Sequence, residues 1–152
     1  MKVVVHNMKY VGQKRYSHLK MIHYQDQYYQ EFIKVHQESF KKMSDYLQSK
    51  EDTIFYSREY QLQEKEYTFL LIIHQELIGS IYIKDNDIER LFVSVKHQKQ
   101  GYGKQLLNFG IAYLQDKGIN DITLSVADFN KGALQLYLDN DFIINNTEIC
   151  DW

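Results

Sequence analysis

The chain has 152 residues, 25% charged and 44% apolar, and a net charge of −2. That size predicts one domain over 1–152 with a sizeable core, and the near-neutral balance gives no global case for binding nucleic acid. A single cysteine, Cys150, excludes an internal disulfide and fits a reducing compartment. The apolar start, Val3 to Val5, is too short for a signal-peptide core, and no run reaches the length of a membrane span. A cytoplasmic protein with no membrane partner is expected. Proline is absent, where average usage would give roughly seven or eight, so turns must rest on Gly, Asn and Asp.

Residues 3 to 10 alternate weakly and read as a short strand, and Leu19 to Tyr24 as a second. Asp26 is placed to cap a helix from about Gln27 to Phe40, with Tyr29, Phe32, Ile33, His36 and Phe40 on one face. Residues 41 to 50 read as a short continuing or second helix, in which Lys41 and Lys42 form a solvated face. Tyr67 to His74 is an apolar strand. Gln75 and Glu76 are expected to turn the chain into the strand Leu77 to Lys84. Asp85, Asn86 and Asp87 then lead to the strand Ile88 to Val95, giving an antiparallel meander.

That last strand empties into Lys96-His97-Gln98-Lys99-Gln100-Gly101-Tyr102-Gly103-Lys104. From Arg90 to Gln115 the cations are Arg90, Lys96, Lys99 and Lys104, and there is no carboxylate. A basic, glycine-bearing loop between a strand and a helix can hold a phosphate on bare backbone N–H groups. The helix runs from about Tyr102 to Lys117, with Leu106, Leu107, Gly110, Ile111 and Leu114 as its apolar stripe and Gly118 as its stop. Ile122, Leu124 and Val126 alternate in a further strand. Asn130 caps a helix through about Leu138, and Phe142 to Ile144 form a last strand. The helix between the strands ending at Val95 and Val126 implies that these two run parallel.

The loop lacks the third glycine of a dinucleotide fingerprint, since position 106 is leucine, and it lacks the Gly-Lys-Ser/Thr of the other phosphate loop. What it does carry is Gln98-x-x-Gly101-x-Gly103, preceded by Leu91-x-Val93 and followed by Asn130-x-x-Ala133-x-x-Leu136-Tyr137 and Phe142. In this order, over residues 67 to 142, the chain resembles the GNAT superfamily of acyl-CoA-dependent N-acyltransferases. The resemblance implies an α/β fold with a mixed, mostly antiparallel sheet of six or seven strands and about four helices. It implies transfer of an acetyl or similar acyl group from acetyl-CoA to an amine of a small molecule or peptide, within a ternary complex and without a metal.

The resemblance also assigns residues. The loop Gln98, Lys99, Gln100, Gly101, Tyr102, Gly103 and Lys104 would hold the pyrophosphate. The backbone of Leu91, Phe92 and Val93 would pair with the pantetheine amides and polarise the thioester. Asn130 belongs to the second signature helix, and Tyr137 stands where the family places its general acid. A base must take the amine's proton. Glu89 and Asp87 both precede the loop and, at period two, point the same way as Leu91. Glu89, or a water it orders, is favoured because it lies farther into the strand.

Two positions depart from the pattern: Val95 stands where Pro is frequent, and Asp141 where Gly precedes the final Phe. They leave a non-catalytic acyl-CoA sensor of the same fold as the alternative, with a nucleotide-binding α/β domain of another family behind it. Asn140-Asp141 can adopt the left-handed turn, so the geometry is expected to survive. Histidines such as His74 and His97 show no metal-ligand spacing, and Cys150 has no paired base. Tyr28, Tyr29, Phe32 and Tyr56 suit either an aromatic wall for a cationic amine or ordinary packing. The resemblance leaves a homodimer open, with Trp152 as a contact.

Overall fold

The computed structural model describes residues 2–41, 45 and 55–151. Trp152 and most of the helix expected over 41 to 50, including Lys42, lie outside them. The elements in chain order are β1 (Lys2–Tyr10), β2 (Ile22–His23), a 3₁₀ turn (Asp26–Tyr28), α1 (Tyr29–Ser39), α2 (Arg58–Gln63), β3 (Thr68–Ile73), β4 (Glu76–Lys84), β5 (Asp87–Val93), a 3₁₀ turn (Val95–His97), α3 (Tyr102–Asp116), β6 (Thr123–Ala127), α4 (Lys131–Asp139) and β7 (Phe142–Asp151). One seven-stranded sheet runs in the order β2-β3-β4-β5-β6-β1-β7. β5 and β6 are parallel and the other pairings antiparallel. This is the mixed, mostly antiparallel α/β sheet with four helices that the sequence predicts.

Several boundaries differ from expectation, each for a local reason. Asp26 does not cap a helix: it starts the 3₁₀ turn, and its carboxylate accepts from Arg58 Nε at 2.7 Å. The β3–β4 turn falls on His74 (φ 52°) and Gln75 (φ 64°), a left-handed pair of the kind that suits a two-residue hairpin, so Glu76 joins the strand. The second strand shrinks to Ile22–His23, whereas β7 extends to Asp151. Asp141 does adopt the left-handed conformation (φ 68°), and Arg15 Nη2 donates to its carboxylate at 3.0 Å.

The core has two sides. On one, the predicted stripe of α3 (Leu106, Leu107, Ile111, Leu114) is completely buried against Ile81, Ile83, Ile88, Met8, Leu124 and Phe142. Gly110 lets the helix close on the sheet, since a Cβ there would lie 2.8 Å from Ile81 Cδ1. On the other side, Phe32 and Val35 of α1 pack on Leu70, Leu77 and Phe92. Of the aromatic residues read as wall or packing, Phe32 packs: it sits edge-on to Tyr24 and to Phe92, both at 5.6 Å, while Tyr29 lies under Arg58.

His36 is buried in this second layer, with Nδ1 3.0 Å from Tyr56 Oη. Burial, assisted by the Arg90 charge, lowers its pKa from 6.5 to about 4. The folded state therefore disfavours the imidazolium. This contribution to stability is whole above pH 6.5 and is lost as pH falls from there through 4. The drop is about 3 kcal/mol. Urea unfolding of wild type and His36→Phe across pH 7.5 to 4 should show the difference between them shrinking by that amount; parallel curves would remove His36 as the cause.

Candidate functional site

β5 and β6 touch at one register pair, Asp87↔Thr123, and diverge beyond it. Two features of β5 widen the gap. Ser80 pairs with Phe92 but Tyr82 pairs with Glu89, so Ile81 faces both Arg90 and Leu91; this is a β-bulge, with Arg90 at φ 49°. β4 then approaches β5 closely at Gly79, where a Cβ would meet Phe92 O at 2.7 Å. Ser94 N–H donates to Ile78 O at 2.8 Å, which by ladder alternation turns the Val93 carbonyl away from β4 and into the gap. Val93 O already accepts from Ser39 Oγ (3.0 Å) and Gln98 Nε2 (3.1 Å).

The gap opens into a cleft of about 820 Å³. Its floor is Leu91, Phe92 and Val93; its sides are the loop before α3 and the start of α4. Gly101 sits at φ 88° as the residue before α3, and no side chain caps that helix end. The first-turn amides of a fifteen-residue helix are thus turned outward with the positive end of its dipole. A methyl on Gly103 would meet only Leu136 Cδ2 at 3.6 Å, so the fold itself does not demand glycine there. Opposite, the Asn130 side chain caps α4 by accepting from Ala133 N–H.

Charge follows the same plan. Among the described residues, Lys99, Lys104 and Lys131 line the cleft and no carboxylate does. Lys131 is paired with Asp128, while Lys99 and Lys104 have no ion-pair partner among the described residues. Glu76 anchors the loop from outside: Lys96 Nζ at 2.7 Å and His97 Nε2 at 3.0 Å hold its carboxyl down at about 2. Among the described residues there is no cluster of three or more His, Cys, Asp or Glu fit for a metal, and no helix long and apolar enough to cross a membrane.

The cleft brings together Leu91, Phe92, Val93, Gln98, Lys99, Gly101, Tyr102, Gly103, Lys104 and Asn130. Glu89, Gln100 and Tyr137 do not line it. Tyr137 packs into the core beside Phe142 (ring centroids 6.1 Å), where burial pushes its phenol up to about 12. The bulge corrects one expectation: Glu89 lies on the Tyr82 and Phe92 side, whereas Leu91 packs toward Leu106. Burial and the neighbouring Asp87 raise the Glu89 pKa. Asp87 is also raised by burial, and it accepts from Thr123 Oγ1 at 2.7 Å, at the closed end of the gap. Ser39, Phe40, Phe129 and Leu136 were missed. Lys131 and Gly132 were missed as well; the helix N-terminus that follows the Asn130 cap is the signal that could have found them.

A mixed sheet parted at its parallel pair, with an uncapped helix N-terminus at the mouth of the gap, defines the class of fold. The sequence model of the acetyltransferase (GNAT) family matches residues 25–142, and the chain belongs to that family. It is 34% identical over 59 residues to N-acetyltransferase 8F1 of Rattus norvegicus, a stretch that covers 39% of this chain and 27% of that protein. The structure superposes on a GNAT-family acetyltransferase of Colwellia psychrerythraea with TM-score 0.74 and 14% identity, covering 98% of this chain and 55% of that one. With the PaiA N-acetyltransferase of Thermoplasma acidophilum, in complex with coenzyme A, the values are 0.68 and 23%, covering 80% of this chain and 87% of that one. The chain thus spans about a quarter of the rat protein and about half of the Colwellia one.

Proposed function

We propose that the protein transfers an acetyl group from acetyl-CoA to an amine, by direct attack in a ternary complex. The observation that carries this reading is the cleft between β5 and β6, whose mouth combines the uncapped α3 end, Gly101, Gly103 and lysines without a carboxylate. The pyrophosphate binds the amides of Gln100 to Lys104, and the pantetheine runs along β5. Its amide displaces or shares the Ser39 and Gln98 bonds at Val93 O.

Backbone amides of Leu91 to Val93 polarise the thioester carbonyl. Glu89 serves as base from the acceptor side, directly or through a water. Its raised pKa favours that role, and Asp87 is tied to Thr123. Tyr137 follows Leu136 of the cleft wall and keeps its proton at neutral pH; as the acid it must turn its hydroxyl from the core side into the cleft to reach the departing sulfur.

Calorimetric titration of acetyl-CoA should give saturable heat, and thioester should be consumed with some member of an amine panel covering polyamines, aminoglycosides, amino acids and peptide N-termini. Silence at millimolar coenzyme would sink the proposal. Tyr137→Phe is expected to lower kcat about a hundredfold while sparing coenzyme affinity. An unchanged rate removes Tyr137 from the chemistry.

A further inference from the structure

The chain has three arginines, Arg15, Arg58 and Arg90. Arg15 is paired with Asp141 and Arg58 with Asp26. Arg90 has no carboxylate within ion-pair distance among the described residues. Its guanidinium is instead enclosed by rings: Cζ lies 4.2 Å from the Tyr82 ring centre, 4.9 Å from Phe55 and 5.7 Å from Tyr60. Nη2 donates to Tyr60 Oη at 3.0 Å.

The rings hold the cation in place without neutralising it, and among the described residues one of its five donors is engaged, by Tyr60. The left-handed bulge aims it this way. Arg90 and Glu89 face the α1–α2 side, while the next residue, Leu91, forms the floor of the coenzyme cleft. Two carboxylates on this side are otherwise placed: Glu64 accepts from Tyr82 Oη at 3.0 Å, and Glu89 makes no ion pair with Arg90. Arg90 shares a small pocket with His36, Phe55, Tyr82 and Phe92, and Phe92 also lines the cleft, so a fixed positive charge stands one side chain away from the cleft floor.

We propose that Arg90 is an anion subsite for the acceptor, receiving on its guanidinium a carboxylate that the acceptor carries close to its amine; the acceptors are then α-amino acids or molecules built on one. This rests on the reading of the β5–β6 cleft as the acyl-coenzyme site. A planar guanidinium fixed by aromatic faces presents a fork that matches a carboxylate in two hydrogen bonds. A polyamine is disfavoured twice over: the aromatic cage that would suit a cation is already filled by Arg90, and Arg90 repels the incoming charge. Glu89, one residue away on the same face, is then placed to meet the ammonium that accompanies the carboxylate.

The test measures binding of common α-amino acids and of their decarboxylated amines, as matched pairs, to the full chain in the presence of saturating coenzyme A. It uses wild type, Arg90→Gln and Arg90→Lys. At least one amino acid should bind wild type tenfold or more tightly than its amine. That ratio should fall toward one in Arg90→Gln and part of the way in Arg90→Lys, while their coenzyme affinity stays as in wild type. Arg90→Lys keeps the charge within the rings and loses the fork, so it guards against misfolding of the glutamine variant. No preference for any carboxylate-bearing partner, or a preference undiminished in both variants, overturns the proposal. Failure of coenzyme A itself to bind removes the cleft reading instead, and the same pairs titrated without coenzyme then judge Arg90 by the same ratio.

Discussion

Phe142→Ala is expected to destabilise the protein by about 3–5 kcal/mol, the range for emptying a well-packed phenylalanine site. Phe142 is 1% exposed. It pairs with Tyr10 across β1 and β7, with ring centroids 5.4 Å apart, and its other side meets Tyr137 of α4. The cavity would be enclosed by Met8, Leu107, Ile111 and Leu124, which come from β1, α3 and β6 and are already fully buried. Little can collapse into the void, which places the loss toward the upper end of that range. Urea unfolding should show an earlier midpoint with an unchanged slope, and Phe142→Leu should lose clearly less. A loss below about 1 kcal/mol would mean that the N-terminal strand and α4 do not share this packing.

The same residue shows what the sequence can and cannot say. The helix α3 was legible because Leu106, Leu107, Gly110, Ile111 and Leu114 repeat at helical spacing, and all five are buried. The loop was legible because its glycines have a backbone reason that survives without any fold: one sits at a positive φ and the other opposes nothing but Leu136. β7 read as three residues because nearly everything beyond Phe142 is exposed, so an edge strand shows no alternation to detect. Nothing local placed β1 between β6 and β7; strand order is set by long-range pairing, here Met8 against both Leu124 and Ile144. The bulge at Arg90 was invisible for a related reason. Period-two reading puts Glu89 with Leu91, and one inserted residue reverses that, since each strand position flips the face. Only the bulge turns Glu89 and Arg90 together away from the cleft, toward the side proposed for the acceptor.

Gly103→Glu is expected to weaken acetyl-CoA binding about a thousandfold. A carboxylate at this position would project into a cleft whose described lining carries no negative charge, beside the amides proposed to hold the pyrophosphate. Two like charges about 4 Å apart near a protein surface repel by about 4 kcal/mol, which is roughly three decades in Kd. Gly103→Ala separates charge from shape. Its methyl meets only Leu136 at 3.6 Å, so the unliganded fold accommodates it, and helix propensity should even gain up to about 1 kcal/mol. Coenzyme affinity should nevertheless fall, because the backbone can no longer approach the phosphates as closely. A variant that is more stable alone yet binds coenzyme more weakly would tie this glycine to the ligand rather than to the fold. Equal coenzyme affinity in wild type, Gly103→Ala and Gly103→Glu would mean that the pyrophosphate lies elsewhere.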